Sequence, residues 1–293
     1  MPRHNALPVV SVLSLLVAMA SVQIGATFAK HLFSDVGPMA TVALRQGFAA
    51  IILLAVFRPW REGLWPTGCR WRTLALYGIV LGVMNLVFYA AIARIPLGIA
   101  VAIEFIGPLA VALMGSRQKL DFVWISLAIA GLWTLLPQGD AAHLDPLGVL
   151  FALIAGVCWG AYILLGQKVG SQMPGGVAVS LGIVISCVLT VPVGLGTATA
   201  ALFTWPILLM GLGVALLSGA IPFTIEMFAL KQIPAKTFGI LMSLEPAVAA
   251  LSGLVLLHEF LTGRQWLAIA LIIAASAGAT LMVRKPAATP DPA

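Results

Sequence analysis

Two apolar runs of this chain each carry a carboxylate ahead of a proline, and they align with one another without a gap. They are Ile95–Gly115, IPLGIAVAIEFIGPLAVALMG, and Ile233–Gly253, IPAKTFGILMSLEPAVAALSG. The shared positions are Ile95/Ile233, Pro96/Pro234, Pro108/Pro246, Ala112/Ala250, Leu113/Leu251 and Gly115/Gly253. The carboxylates are Glu104 and Glu245. An ionised carboxylate inside an apolar helix is costly, so a residue of this kind is retained for a purpose. Proline has no N–H for the carbonyl four residues back. Pro108 therefore releases the carbonyl of Glu104, and Pro246 that of Met242. A charge beside loosened backbone, present once in each half, marks a polar site built from a repeat.

Composition sets the solvent. Only 9% of the 293 residues are charged and 61% are hydrophobic, with a mean hydropathy of +1.08. Soluble domains carry about 25% charged residues. The chain reads as a polytopic, all-α integral membrane protein. Ten spans are expected, at 8–29, 36–57, 73–93, 97–116, 122–136, 147–168, 176–196, 205–231, 235–257 and 264–283. Each approaches the about 20 residues that cross a bilayer, apart from the short fifth. The first span has features of a signal peptide, Arg3 before it and Ala18-Met19-Ala20 within it. Its apolar run continues to Ala29, and removal would spoil a five-plus-five plan, so retention is expected.

Lys and Arg set the orientation. With the N-terminus in the cytoplasm, Arg3, Arg58, Arg61, Arg70, Arg72, Arg117, Lys119, Lys168, Lys231, Lys236, Arg284 and Lys285 fall inside. Lys30, Arg94 and Arg264 fall outside, and both termini are cytoplasmic. Arg58–Arg72, with Trp60, Trp65 and Trp71, is an interfacial, orientation-setting segment rather than a nucleic-acid patch. The external loop 137–146 carries Asp140 and Asp145 and joins two five-helix repeats, 8–136 and 147–283. An odd number of spans per half inverts the second against the first. Residues 284–293 read as a disordered cytoplasmic tail. Gly78-x3-Gly82 and Gly156-x3-Gly160 read as close helix contacts. Cys69, Cys158 and Cys187 show no metal or disulfide spacing.

Four ionisable residues lie within spans: Arg45, Glu104, Glu226 and Glu245. Arg45, Glu104 and Glu245 are near mid-depth, where a structural ion pair is the alternative to a transport role. Glu226, five residues before Lys231, is near the cytoplasmic end, where snorkelling is the plain alternative. Gln23, Asn85, Tyr89, Trp159, Tyr162 and Ser243 are further candidates, with packing the competing role for the aromatics. His258-Glu259 reads as interfacial. No H-E-x-x-H, G-x-S-x-G, P-loop or haem signature is present, so no enzyme chemistry, metal or cofactor is implied. Without a P-loop the chain has no ATP site of its own, and an ion gradient is the expected energy source.

With ten spans in two halves and two Ile-Pro…Pro helices, the chain resembles the EamA type of the drug/metabolite transporter superfamily. Glu245-Pro246, followed by His258-Glu259, Gln265 and a glycine-containing last helix, adds to the likeness, which covers essentially the whole chain. Within that group, LLVAMASVQIGATFAK (15–30), PLGIAVAIEFIGPLAVAL (96–113), DFVW (121–124) and TFGILMSLEPAVAALSG (237–253) are similar to bacterial inner-membrane threonine and homoserine exporters. The resemblance implies export of small neutral amino acids by proton antiport. The residues by themselves leave open another metabolite or drug, such as a nucleoside or amine, and a membrane protein that transports nothing. A zwitterionic substrate suits the polar set. The guanidinium of Arg45 matches a carboxylate, and Glu104 or Glu245 would meet the ammonium or carry the coupling proton. The pattern specifies no oligomeric state.

Overall fold

The computed structural model describes residues 9–61, 69–95, 97–114, 119–135, 145–242, 244–248, 251 and 262–281. Ser243, His258-Glu259, Asp140, the centre of the Arg58–Arg72 segment and the tail 284–293 lie outside the described residues. Among the described residues every regular element is helical. The elements are α1 (Val9–Phe57), α2 (Cys69–Ile92), α3 (Leu97–Glu104), α4 (Ile106–Met114), α5 (Lys119–Leu135), α6 (Pro146–Gln172) and α7 (Gly175–Gly196). There follow a 3-10 turn (Ala200–Phe203), α8 (Trp205–Ala215), a π turn (Leu216–Ala220), α9 (Ile221–Gln232), α10 (Ala235–Met242) and α11 (Gly263–Leu281). Among the described residues five stretches are long and apolar enough to cross a membrane: Val12–Phe57, Arg70–Ile92, Pro146–Gln172, Gly175–Gly196 and Trp205–Gln232. The fold is that of an all-helical membrane protein.

Three interruptions shape it. The first pair of expected spans is joined without a loop at 30–35, because helix continues to Val36. His31 Nδ1 lies 2.9 Å from the Thr27 carbonyl, and the Ser34 hydroxyl donates to the His31 carbonyl, so the polar residues there satisfy helical backbone. The break comes at Gly37, with φ 79°, a conformation open to glycine, immediately before Pro38. The second interruption is the π turn ahead of Pro222. Ile221 N–H reaches back five residues to Leu216, and the Ser21 hydroxyl donates to the carbonyl of Leu217. Gly25 faces Ser218 there: a Cβ on Gly25 would lie 2.7 Å from that of Ser218.

The third interruption is the one that Pro108 and Pro246 demand. The stretch expected as span four is split at Phe105 into α3 and α4, so the helix breaks beside Glu104. In the twin, α10 ends at Met242, and Leu244 N–H bonds the carbonyl of Leu241, a tightened turn, before helix resumes at Glu245. The two broken stretches meet: a Cβ on Gly239 would lie 2.6 Å from the carbonyl oxygen of Pro108.

Helices from the two halves of the chain pack in pairs. α1 runs along α7 and α8, α2 along α6 and α7, α4 against α6 and α10, and α5 along α11. Both glycine pairs lie at such crossings. Gly78 and Gly82 face Gly182, Ile185 and Ser186, while Gly156 and Gly160 face Glu104 and Gly107. Two large apolar cores result among the described residues. One gathers Leu15, Met19, Leu53, Leu74, Tyr77 and Met227, and the other Ala29, Leu32, Val36, Ala40, Ile92 and Ile95.

Candidate functional site

Gln23, Arg45 and Asn85 sit where three helical arms pass from one apolar core to the other. Glu104 lies at the same step, at the break between α3 and α4. Arg45, on the second arm of α1, is only 6% exposed. One terminal nitrogen donates to Asn85 Oδ1 and the other to the Tyr89 hydroxyl at 3.3 Å. Asn85 and Tyr89 are one helical turn apart on α2 and so present one face. Asn85 is itself fixed, because its Nδ2 donates to the carbonyl of Leu81 at 2.7 Å, which turns its oxygen to the guanidinium. The guanidinium also lies over the rings of Tyr89, at 5.3 Å, and Phe223, at 5.6 Å. Its Nε has no hydrogen-bond partner.

The carboxylates arrive from the other side. Glu226, on α9, accepts a hydrogen bond from the Tyr162 hydroxyl at 2.9 Å. Tyr162 is fully buried, stacks on Tyr77 at 5.3 Å and meets the Phe223 ring edge-on at 5.9 Å. Gln23 Nε2 donates to Glu245 Oε1 at 3.4 Å, a long contact. Glu104 is buried, within electrostatic reach of Glu245, Arg45 and Glu226. Among the described residues no salt bridge joins Arg45 to a glutamate. The ion pair Arg94–Asp145, at 3.1 Å, lies at the surface. There Asp145 caps α6 by accepting from Leu147 N–H, and that bond together with Arg94 holds its carboxyl below the ordinary range.

The structure thus brings together Gln23, Arg45, Asn85, Tyr89, Glu104, Tyr162, Glu226 and Glu245. Trp159 borders the group, packing edge-on against Phe105 with ring centroids 6.4 Å apart. For Glu226 the burial speaks against the snorkelling alternative. It is buried under Tyr162 instead of snorkelling, because the α9 face that carries it turns inward beside Phe223. Phe223 and Tyr77 escaped the sequence reading, since an aromatic in an apolar span carries no polar signal. The i, i+3 spacing of Phe223 and Glu226 is the clue that was available. Among the described residues no group of histidine, cysteine and acidic side chains is arranged to hold a metal. A layer with three carboxylates and one guanidinium is suited to binding a species that is itself charged at two ends, or a proton.

The model of the EamA-like transporter family matches residues 9–136 and 146–281. The chain is 50% identical over 280 residues to the threonine/homoserine exporter RhtA of Salmonella typhimurium strain SL1344, covering 94% of this chain and 92% of that one. It is likewise 50% identical over 277 residues to the threonine/homoserine exporter RhtA of Escherichia coli K12, covering 92% and 91%. A crystal structure of a protein 19% identical to this chain superposes with a TM-score of 0.76 over 93% of this chain and 97% of the other, a likeness of fold.

Proposed function

This chain belongs to the EamA-like transporter family, and on that premise we propose that it exports threonine, homoserine and similar small neutral amino acids. It is a transporter of the bacterial inner membrane and not an enzyme. The observation that carries the substrate class is the 50% identity to threonine/homoserine exporters over nearly the whole chain.

We read the architecture as ten spans in two inverted five-helix repeats, with both termini cytoplasmic. The helix pairing supports this. If span two corresponds to seven, four to nine and five to ten, then α1 with α7, α4 with α10 and α5 with α11 are contacts between equivalent elements. The packing of α2 on α6 is likewise matched by that of α1 on the α8–α9 segment.

The mechanism follows from the charge layer. A bound amino acid would place its carboxylate on Arg45, whose Nε donor is unused and whose other nitrogens are held by Asn85 and Tyr89. Its ammonium would lie toward Glu104 or Glu245, which the breaks at Pro108 and Pro246 bring near loosened backbone. Rocking of one repeat against the other would expose this layer to each side in turn. In antiport, a proton and the substrate ammonium compete for one carboxylate, so that each displaces the other. The test is counterflow of labelled amino acids into proteoliposomes holding only this protein. Exchange of threonine and homoserine is the expected result. Exchange of a nucleoside or an amine, with none of threonine, would reassign the substrate.

A further inference from the structure

Phe223 occupies a position that the transport reading leaves unexplained. It stands three residues before Glu226 on the same face of α9. On one side its ring lies under the Arg45 guanidinium, 5.6 Å away. On the other it meets the edge of Tyr162 at 5.9 Å, and Tyr162 is the group bonded to Glu226. The ring is 93% buried, with 7% of its surface exposed. The Arg45 guanidinium acts electrostatically on the Glu226 carboxyl. In a low-dielectric interior such groups attract strongly. Among the described residues they nevertheless form no salt bridge, and Phe223 touches both the guanidinium and the tyrosine bonded to Glu226.

We propose that Phe223 is a positioning residue that holds the Arg45 guanidinium on its ring face and keeps it off Glu226, leaving the guanidinium free to take the carboxylate of a zwitterionic substrate. The proposal rests on the amino-acid reading above. An aromatic ring suits the task better than an aliphatic side chain of similar size. Its electron-rich face attracts a cation without neutralising it, and the ring also makes a T-shaped contact with Tyr162. Tyr89 supplies a second face at 5.3 Å, so the guanidinium plane is steadied by two rings while its unused Nε donor remains available. An Arg45–Glu226 ion pair would cancel the two charges and would have to be broken at every turnover.

Two measurements test this, one of them independent of substrate. First, phenylalanine carrying one, two or three fluorines is placed at position 223. Fluorine drains the ring face and barely changes its size. The substrate concentration for half-maximal threonine counterflow should rise stepwise, to about tenfold with three fluorines. Maximal exchange should change much less. No trend across the series means that the ring is a filler, and the proposal falls. Second, a structure of Phe223→Leu without substrate should show an Arg45 nitrogen within about 4 Å of a Glu226 oxygen. Arg45 remaining on Asn85 and Tyr89, away from Glu226, would overturn the proposal even if threonine proved not to be the substrate. Conversely, a wild type that exchanges no threonine while Phe223→Leu shows the collapsed pair would refute the substrate reading alone.

Discussion

One carbon added at Gly107 tests whether the crossing of α4 on α6 holds the charge layer in place. An ideal Cβ on Gly107 lies 1.9 Å from the carbonyl oxygen of Gly156 and 2.8 Å from the amide nitrogen of Gly160. Both neighbours are backbone, so no side chain can swing aside. Real Cβ atoms essentially never approach closer than 3.0 Å, so Gly107→Ala obliges α4 to back away by about 1 Å. Overpacking of this kind costs about 1–3 kcal/mol. For a chain of this size that lowers the melting temperature by about 5 °C. The displacement would also reach Glu104, whose own carbonyl lies 2.7 Å from an ideal Cβ on Gly156. Transport should therefore fall further than the loss of folded protein explains. Gly213→Ala is the control, because a Cβ there meets nothing within 4 Å. In the interior of α8 it should be neutral or stabilising by about 0.5–1 kcal/mol. Thermal unfolding in detergent, followed by size exclusion, reads both variants. Gly107→Ala melting and transporting like the wild type would refute the close crossing.

Glu104→Gln and Glu245→Gln should each fold and insert yet lose most pH-driven threonine export, since the amide imitates a permanently protonated carboxyl; normal export at matched protein levels would make both glutamates structural. Arg45→Lys should keep some pH-driven export but need more substrate, because the ammonium keeps the charge and loses the planar fork; unchanged half-saturation would remove Arg45 from the substrate site. Asp145→Ala should lower thermal stability at neutral pH, through loss of the α6 cap and of the Arg94 pair. Because folding lowers the Asp145 pKa, its contribution is complete above the ordinary aspartate value of 3.8 and fades as pH falls through the lowered one. The gap between variant and wild type should therefore hold steady from about pH 8 to about pH 5 and close only below 3.8, and a gap that closed near neutrality would contradict this assignment.

What could be read from the residues is what depends on solvent and on local backbone chemistry. Continuous apolar runs of about 20 residues call for helices, which satisfy their own backbone hydrogen bonds in lipid. Pro108 cannot donate to the Glu104 carbonyl, and α3 ends at Glu104. Arg45, Glu104 and Glu245 stood out because charge in an apolar run is expensive. The helix face on which each residue lies was less legible. Glu226 was placed near Lys231 by counting along the chain, yet Tyr162, 64 positions away, draws it into the layer. Phe223 is one of 13 phenylalanines, and its setting between Arg45 and Tyr162 arises from three helices meeting. The expected spans 8–29 and 36–57 left the first break at 30–35. It moved to Gly37 because those side chains can return their hydrogen bonds to helical carbonyls, whereas Gly37-Pro38 cannot carry the helix on.

The most direct measurement of the central claim is efflux of labelled threonine from proteoliposomes that contain only this protein, with and without an imposed proton gradient directed inward. The account predicts efflux well above protein-free vesicles, faster with the gradient than without it. Threonine efflux equal to that of protein-free vesicles would contradict the assignment as a threonine exporter, and efflux indifferent to the gradient would remove proton antiport.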